Sequence, residues 1–326
     1  MPPEFRIYHS LEEIGDAFGP SVVTVGVFDG VHCGHRRILR RVVALAAKNG
    51  WTPAAITFHP HPAVVVAPAR APKLLTTAQE RTRLMGEAGI ARILVAPFTP
   101  ELSRLSPEEF VLGILRERLE ARAVLVGDNF RFGYRHQGDT RLLAELGRRH
   151  GFLTEVIPAV RRRGRVVSSS EVRRLLEKGE VAKAARLLER PHALEGAVAP
   201  GQGIGSKLTV PTLNLAPGEV VLPARGVYIT RTRLGEAGAY APSVTNVGHR
   251  PSFSGQTLTV ETHLLDPPPG EPPQRIRVEF LRRLREEKRF ASAEELKAQI
   301  LRDAARARRY FRQLAAHLGA GAAVLP

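Results

Sequence analysis

From Val22 to His35 the chain reads VVTVGVFDGVHCGH: a strand, a glycine-bearing turn and the opening of a helix. Val22, Val23, Val25 and Val27 are β-branched and fit a strand buried on both faces, the kind that parallel sheets contain. Phe28-Asp29-Gly30 supplies the turn that ends it. A helix is expected from about Gly34. The first N–H groups of a helix have no partner within it and the dipole is positive at that end, so such a turn is a seat for phosphate. His32 and His35 flank that seat. A single histidine at a helix start is ordinarily a surface or capping residue. Two of them, with Asp29 and the glycines at fixed spacing, point to chemistry on a phosphate.

The rest of the N-terminal half alternates strands and helices around this segment. Apolar residues at helical spacing run from His35 to Lys48, and strands are expected at Thr52–Phe58, Arg92–Ala96, Ala123–Gly127 and Phe152–Ile157. Helices fall between them at Thr77–Ala88, Pro107–Leu119 and from Gly138-Asp139 onward. That order predicts an α/β, doubly wound, Rossmann-like parallel sheet. Phe58-His59-Pro60-His61-Pro62 is a proline-stiffened loop at the carboxyl end of a strand, where open α/β sheets bind ligands. Ser168-Ser169-Ser170-Glu171-Val172-Arg173 opens another helix. Serines there are ordinarily caps, but Arg173 one turn on makes this a second phosphate-suited helix start. Helices at Glu171–Glu177 and Val181–Glu189 close the domain.

At Arg190-Pro191-His192 the pattern changes to short β segments rich in Gly and Pro, so domains at 1–190 and 191–326 are expected. Strands at Leu194–Val198, Gly226–Arg233, Tyr240–Val247, Thr257–Leu265 and Arg275–Phe280 suggest an antiparallel β-barrel. An amphipathic helix from Ser292 to His317 follows. Glu261 interrupts an apolar strand pattern and on pattern alone is an outward-facing residue. The glycines from Gly196 to Gly205 do not form a P-loop, because position 200 is Pro and no parallel strand precedes them.

Net charge is +16, from 48 Lys+Arg against 32 Asp+Glu, which suits nucleic acid or small polyanions alike. Aromatic residues make up only 6% and do not alternate with the basic clusters as a base-stacking surface would, so no nucleic-acid partner is expected. Cys33, the single cysteine, excludes an intrachain disulfide and agrees with a reducing compartment. No signal-peptide pattern or membrane-length apolar run is present in the sequence; a cytoplasmic location without membrane contact is expected.

The string Gly26-x-Phe28-Asp29-Gly30-x-His32-x-Gly34-His35 resembles the His-x-Gly-His signature of the nucleotidyltransferase superfamily, in the form found in bacterial bifunctional riboflavin kinase/FAD synthetases. Phe58-x-Pro60-His61-Pro62, Gly127-x-Asn129-Phe130-Arg131-Phe132-Gly133 and Ser168-Ser169-x-x-Val172-Arg173 continue the resemblance. In the C-terminal half, Pro211-Thr212-Leu213-Asn214, Gly226-Val227-Tyr228, Asn246-Val247-Gly248-x-Arg250-Pro251 and Glu261 resemble the flavokinase domain, as does Arg285 to Phe290 before the last helix. The glycine-rich flap departs from the family: Ser206 and Thr209 replace Arg and Gly, with Lys207 as the compensating charge, and His249 and Ser252 stand where Thr is usual.

The resemblance implies two activities, riboflavin to FMN and FMN to FAD, with ATP, riboflavin and FMN as substrates and Mg²⁺ accompanying ATP; a weak homo-oligomer is compatible with it. It implies His32, His35 and Glu261 as catalytic residues. ATP in the adenylyltransferase would lie against Gly26, Phe28, Asp29, Gly30, Gly34, Ser169, Ser170 and Arg173, and the flavin against Pro60, His61, Pro62, Asn129 and Phe132. In the kinase, ATP would meet Gly201, Gly205, Lys207, Thr212 and Asn214, with Thr212 and Asn214 on the metal and Arg285 on the flavin. Two rivals stand beside this: a phosphohydrolase with a transition metal on Asp29, His32, His35, His59 and His61, and a flavin- or RNA-binding regulator.

Overall fold

A computed structural model describes residues 4–15, 18–199, 212–216, 218–235, 238–252, 255–267, 273–288 and 290–318. The chain divides into two compact units, Met1–Ser169 and Ser170–Pro326.

The first unit is built on a six-stranded sheet of β1 (Arg6–Tyr8), β2 (Ser21–Val25), β3 (Thr52–His59), β4 (Arg92–Pro97), β5 (Ala121–Gly127) and β6 (Leu153–Ile157). Spatial order is β1-β4-β3-β2-β5-β6 and every pairing is parallel. Valines of β2 divide between the faces, as a two-residue side-chain period requires. Val22 packs with Leu39, Val42 and Leu84 of α1 (Cys33–Asn49) and α3 (Ala78–Glu87). Val23 and Val25 pack on the other face with Phe110, Ile114, Leu143 and Leu146. Those four come from Pro107–Arg118, here called α5, and from α6 (Thr140–His150). After three α-helical residues α5 continues as a π-helix from Phe110 to Arg118, where a plain α-helix is expected. The short α2 (Pro62–Val66) and α4 (Pro100–Arg104) each begin with a proline, which needs no N–H at that position.

Chain order runs away from β2 through β3 to β4 and then resumes on the other side at β5 and β6, so the winding reverses between β2 and β5. In such sheets the crevice beyond the carboxyl ends of the two strands at the reversal is the ligand site. The turn after β2 and the Gly127-Asp128-Asn129 turn after β5 both lie there.

Helix α7 (Ser169–Glu177) starts at the last residue of the first unit and runs on in the second, where α8 (Val181–Leu188) follows it before a closed antiparallel barrel. Its strands are β9 (His192–Ala199), β10 (Leu213–Leu215), β11 (Gly226–Leu234), β12 (Tyr240–Ser252), β13 (Gly255–Leu264) and β14 (Arg275–Arg285), and α9 (Ala293–Leu318) ends the described chain. A two-residue ribbon, β7 (Arg161–Arg162) with β8 (Arg165–Val166), belongs to the first unit. The units part at Ser169, before the change of element type at Arg190, because α8 packs on β14 and β9 and the α7 carbonyl of Leu176 accepts from Ala224 N. Val227, Ile229 and Val244 meet Ala304 and Ala307 of α9 on the outer face. Alternate residues turn inward, where Thr232, Ser243, Thr230, Thr245 and Thr262 form a buried chain of hydroxyl hydrogen bonds at 2.8–2.9 Å.

Candidate active sites

The histidine turn is tightly determined. His32 caps α1: its Nδ1 accepts from His35 N at 3.3 Å, which in the neutral ring leaves the proton on Nε2. The His32 and His35 rings stack with centroids 3.6 Å apart, and Phe28 meets His35 edge-on at 5.2 Å. A Cβ at Gly34 would lie 3.0 Å from His32 Cε1, and one at Gly26 would lie 3.2 Å from the Phe28 ring, so both glycines make room for those rings. Phe28 (φ 52°) and Val31 (φ 39°) hold left-handed backbone conformations that cost about 1–3 kcal/mol each. They persist because the surroundings hold the turn. The buried Asp29 carboxylate accepts from Leu75 N at 2.9 and 3.0 Å and from Thr76 N at 3.2 Å, while Gly30 N donates to Thr76 Oγ1 at 3.1 Å. From the other side Ser169 Oγ donates to Asp29 O at 2.9 Å.

Burial, then the positive charges that His32 and Arg81 can present, hold His35 well below the ordinary histidine range, so it is neutral at pH 7. Its Nδ1 is buried and has no hydrogen-bond partner. A buried polar atom left in that state is costly unless something is supplied to it, which fits a site made for a polar ligand.

The structure brings Gly26, Phe28, Gly30, His32, Gly34, His35 and Ser169 together around this turn, and Ser170 and Arg173 follow Ser169 on α7. Asp29 is turned inward to the 75–76 backbone. Asn129, exposed, folds back so that its Oδ1 would lie 3.3 Å from a Cβ on Gly127. Pro60, His61 and Pro62 leave the end of β3, where His61 Nδ1 caps α2 by accepting from Ala63 N at 3.1 Å. Beside them Val64 and Val66 are 44% and 56% exposed, an apolar surface with no motif to announce it. Phe132 is buried at 6% exposure between Phe110 and Phe130, and Phe130, stacked on it at 5.4 Å, is the more accessible ring. Among the described residues no three His, Cys, Asp or Glu side chains are placed to hold a metal, so the proposed cluster of Asp29, His32, His35, His59 and His61 does not form.

In the barrel, strand register does the assembling. Asn214 on β10 lies opposite Glu261 on β13, and Glu261 opposite Asn246 on β12. The same row continues through Val227 on β11 to Arg285 on β14. Glu261 is half-buried and points to the outer face, since its neighbour Thr262 belongs to the interior hydroxyl chain. Asn214 Oδ1 is buried without a partner, and the half-buried Thr212 directly precedes β10. Hard neutral oxygens of this type are what Mg²⁺ accepts. Arg285 donates from Nε to Asp303 on α9 at 2.8 Å, and Gln299 Nε2 holds the other carboxylate oxygen at 3.0 Å. Gly201, Gly205 and Lys207 lie outside the described residues, as do the flap substitutions Ser206 and Thr209. By sequence Asn246 is only part of a motif, with no role; the register shows its place beside Glu261.

Residues 16–171 match the FAD synthetase family and residues 188–311 the riboflavin kinase family. A bifunctional riboflavin kinase/FMN adenylyltransferase of Escherichia coli (strain K12) is 35% identical over 89% of this chain and 92% of its own length. The protein of that name from Pseudomonas fluorescens is 38% identical over 88% of this chain and 92% of its own. A crystal structure described as a macrolide-efflux protein from Streptococcus pneumoniae superposes with a TM-score of 0.83 at 23% identity, covering 93% of this chain and 98% of that one, a likeness of fold. Among the described residues no helix is long and apolar enough to cross a membrane.

Proposed function

Because this chain belongs to the bifunctional riboflavin kinase/FMN adenylyltransferase family, we propose that it phosphorylates riboflavin with ATP and then adenylylates the resulting FMN with a second ATP, releasing pyrophosphate. The observation that carries this reading is the stacked pair of His32 and neutral His35 at the amino end of α1, at the reversal point of a doubly wound sheet.

In the adenylyl transfer, a phosphate oxygen of FMN attacks the α-phosphorus of ATP and the pyrophosphate departs, so one P–O bond forms as another breaks. Charge grows on the α-phosphate oxygens and the leaving group. The His32 Nε2–H, His35 and the first amides of α1 are donors for that charge, fixed before reaction, which is electrostatic catalysis without a covalent intermediate. Gly26, Phe28, Gly30, Gly34, Ser169, Ser170 and Arg173 serve the nucleotide, and Asp29 holds the turn that presents them. Pro60, His61, Pro62 and Asn129 border the flavin, with Phe132 supporting Phe130 beneath it.

In the kinase step Glu261 takes the proton of the ribityl 5′-hydroxyl as that oxygen attacks the γ-phosphorus. Thr212 and Asn214 are the residues that would hold Mg²⁺, which would neutralise phosphate charge when bound; the orphaned Asn214 Oδ1 supports that placing. Gly201, Gly205 and Lys207 complete the ATP site, and Arg285, fixed by Asp303, borders the flavin. The change of element type between 190 and 191 is the functional border, and the single buried Cys33 supports a cytoplasmic setting. Incubation of the purified chain with riboflavin, ATP and Mg²⁺, with flavins resolved over time, is expected to show FMN first and FAD after it. Absence of both flavins would refute the reading.

A further inference from the structure

Arg81 has no place in the steps above, yet among the described residues it is the largest of the fully buried side chains, 1% exposed, one turn into α3. A buried guanidinium is costly unless its charge and donors are met. Here they are met only in part. Its Nη2 donates to Phe58 O at 2.9 Å, and its Nε is buried without a hydrogen-bond partner. The carboxylate of Asp29 lies near enough to favour the charge, and Arg81 in turn acts on the His35 ring.

These contacts place one cation under two loops. Phe58 is the last residue but one of β3, two before Pro60-His61-Pro62, and Asp29 and His35 belong to the turn after β2, the neighbouring strand. Surface arginines of helices stabilise by far smaller means than burial here demands, so packing alone does not account for a charged side chain at this point.

Building on the adenylyltransferase reading, we propose that Arg81 is a positioning residue for adenylyl transfer: it ties the flavin-side loop to the histidine turn and lends a fixed positive charge to the floor on which two phosphate groups must meet. Phosphates repel one another, and a cation in a low-dielectric floor offsets that repulsion without having to reorganise. Arg81 acts through Phe58 and His35.

The test compares Arg81→Met and Arg81→Lys in the full chain, measuring kcat and KM for FMN and for ATP in FAD formation, with riboflavin phosphorylation as the internal control. Loss of the tie and the charge in the Met variant is expected to lower kcat by about tenfold to a hundredfold, the scale of a small misplacement of reacting groups. Lys, which keeps a donor and the charge, is expected to recover most of kcat, and both variants should phosphorylate riboflavin at the wild-type rate. A purely structural role would lower the melting temperature of the Met variant while leaving kcat and KM of its folded fraction unchanged, and that result would overturn the proposal. So would a Lys variant whose kcat is no higher than that of Met. Should Met prevent folding, Arg81→Gln, which keeps a donor without the charge, takes its place in the comparison with Lys. A wild-type chain that makes FMN but no FAD would instead sink the adenylyltransferase reading before any variant is compared.

Discussion

His32 and Gly34 show how little freedom the reacting groups have. The spacing of His32 and His35 was legible because two histidines opening a helix after a buried strand form a local pattern. The task of Asp29 was not, because its partners Leu75 and Thr76 are far along the chain and nothing local marks them. A methyl group on Gly34 would sit 3.0 Å from His32 Cε1 and displace that ring by a few tenths of an ångström. Gly34→Ala is therefore expected to reduce FAD formation by about a hundredfold, as for a misplaced donor, with little loss of melting temperature. Equal FAD formation in wild type and variant would show that His32 is not a donor in the reaction. In the barrel, burial pushes His192 from its ordinary 6.5 to about 4, while its Nε2 meets Val221 O at 2.8 Å. The folded state thus resists a proton that the unfolded chain accepts. Its stability contribution is complete above pH 6.5 and is lost as pH falls toward 4, by up to about 3 kcal/mol. His192→Gln, which can still donate to Val221 O, should flatten the fall in barrel melting temperature between pH 7 and pH 5; an undiminished fall would assign the acid sensitivity elsewhere.

The turn between β2 and α1 is a strained element maintained by its neighbours, and the strain explains why a buried carboxylate is spent on a loop. Two non-glycine residues with left-handed backbone would relax if Asp29 released the 75–76 segment. Asp29→Ala leaves those buried N–H groups without their acceptor, at about 1–3 kcal/mol for each, and frees the turn. Thermal melting should show the first unit destabilised, with FAD formation lost while riboflavin phosphorylation continues; a variant with wild-type FAD formation would mean that the turn holds its shape without Asp29. Legibility at this scale follows length and periodicity. The helix expected from His35 to Lys48 is α1, Cys33–Asn49, and the strand expected from Thr52 is β3. By contrast β1 and β10 have three residues each, too few for any period, and are strands only because β4, β9 and β13 offer them edges. Glu261 read as outward-facing and is so; what made it a candidate base was the resemblance, and what gives it Asn214 and Asn246 as neighbours is a register that no local pattern encodes.

At the scale of the molecule, the change of sequence pattern and the division into compact units do not coincide, because helices α7 and α8 resemble the first half in type while packing with the barrel in space. A fragment starting at Pro191 would strip α8 from β14 and β9, whereas one starting at Ser170 keeps it. The 170–326 fragment is accordingly expected to melt well above the 191–326 fragment; equal melting temperatures would show that α8 adds nothing to the barrel. On the proposed function one chain carries two separate catalytic centres, one around His32 and His35 and one around Glu261. Both conversions can be followed in two full-length variants: riboflavin to FMN, and supplied FMN to FAD, in the presence of ATP and Mg²⁺. Glu261→Gln is expected to leave riboflavin unconsumed while still turning FMN into FAD, and His32→Ala to stop at FMN, with FAD formation down by about a hundredfold. Two variants that each lose both conversions, or a His32→Ala chain that makes FAD at the wild-type rate, would contradict it.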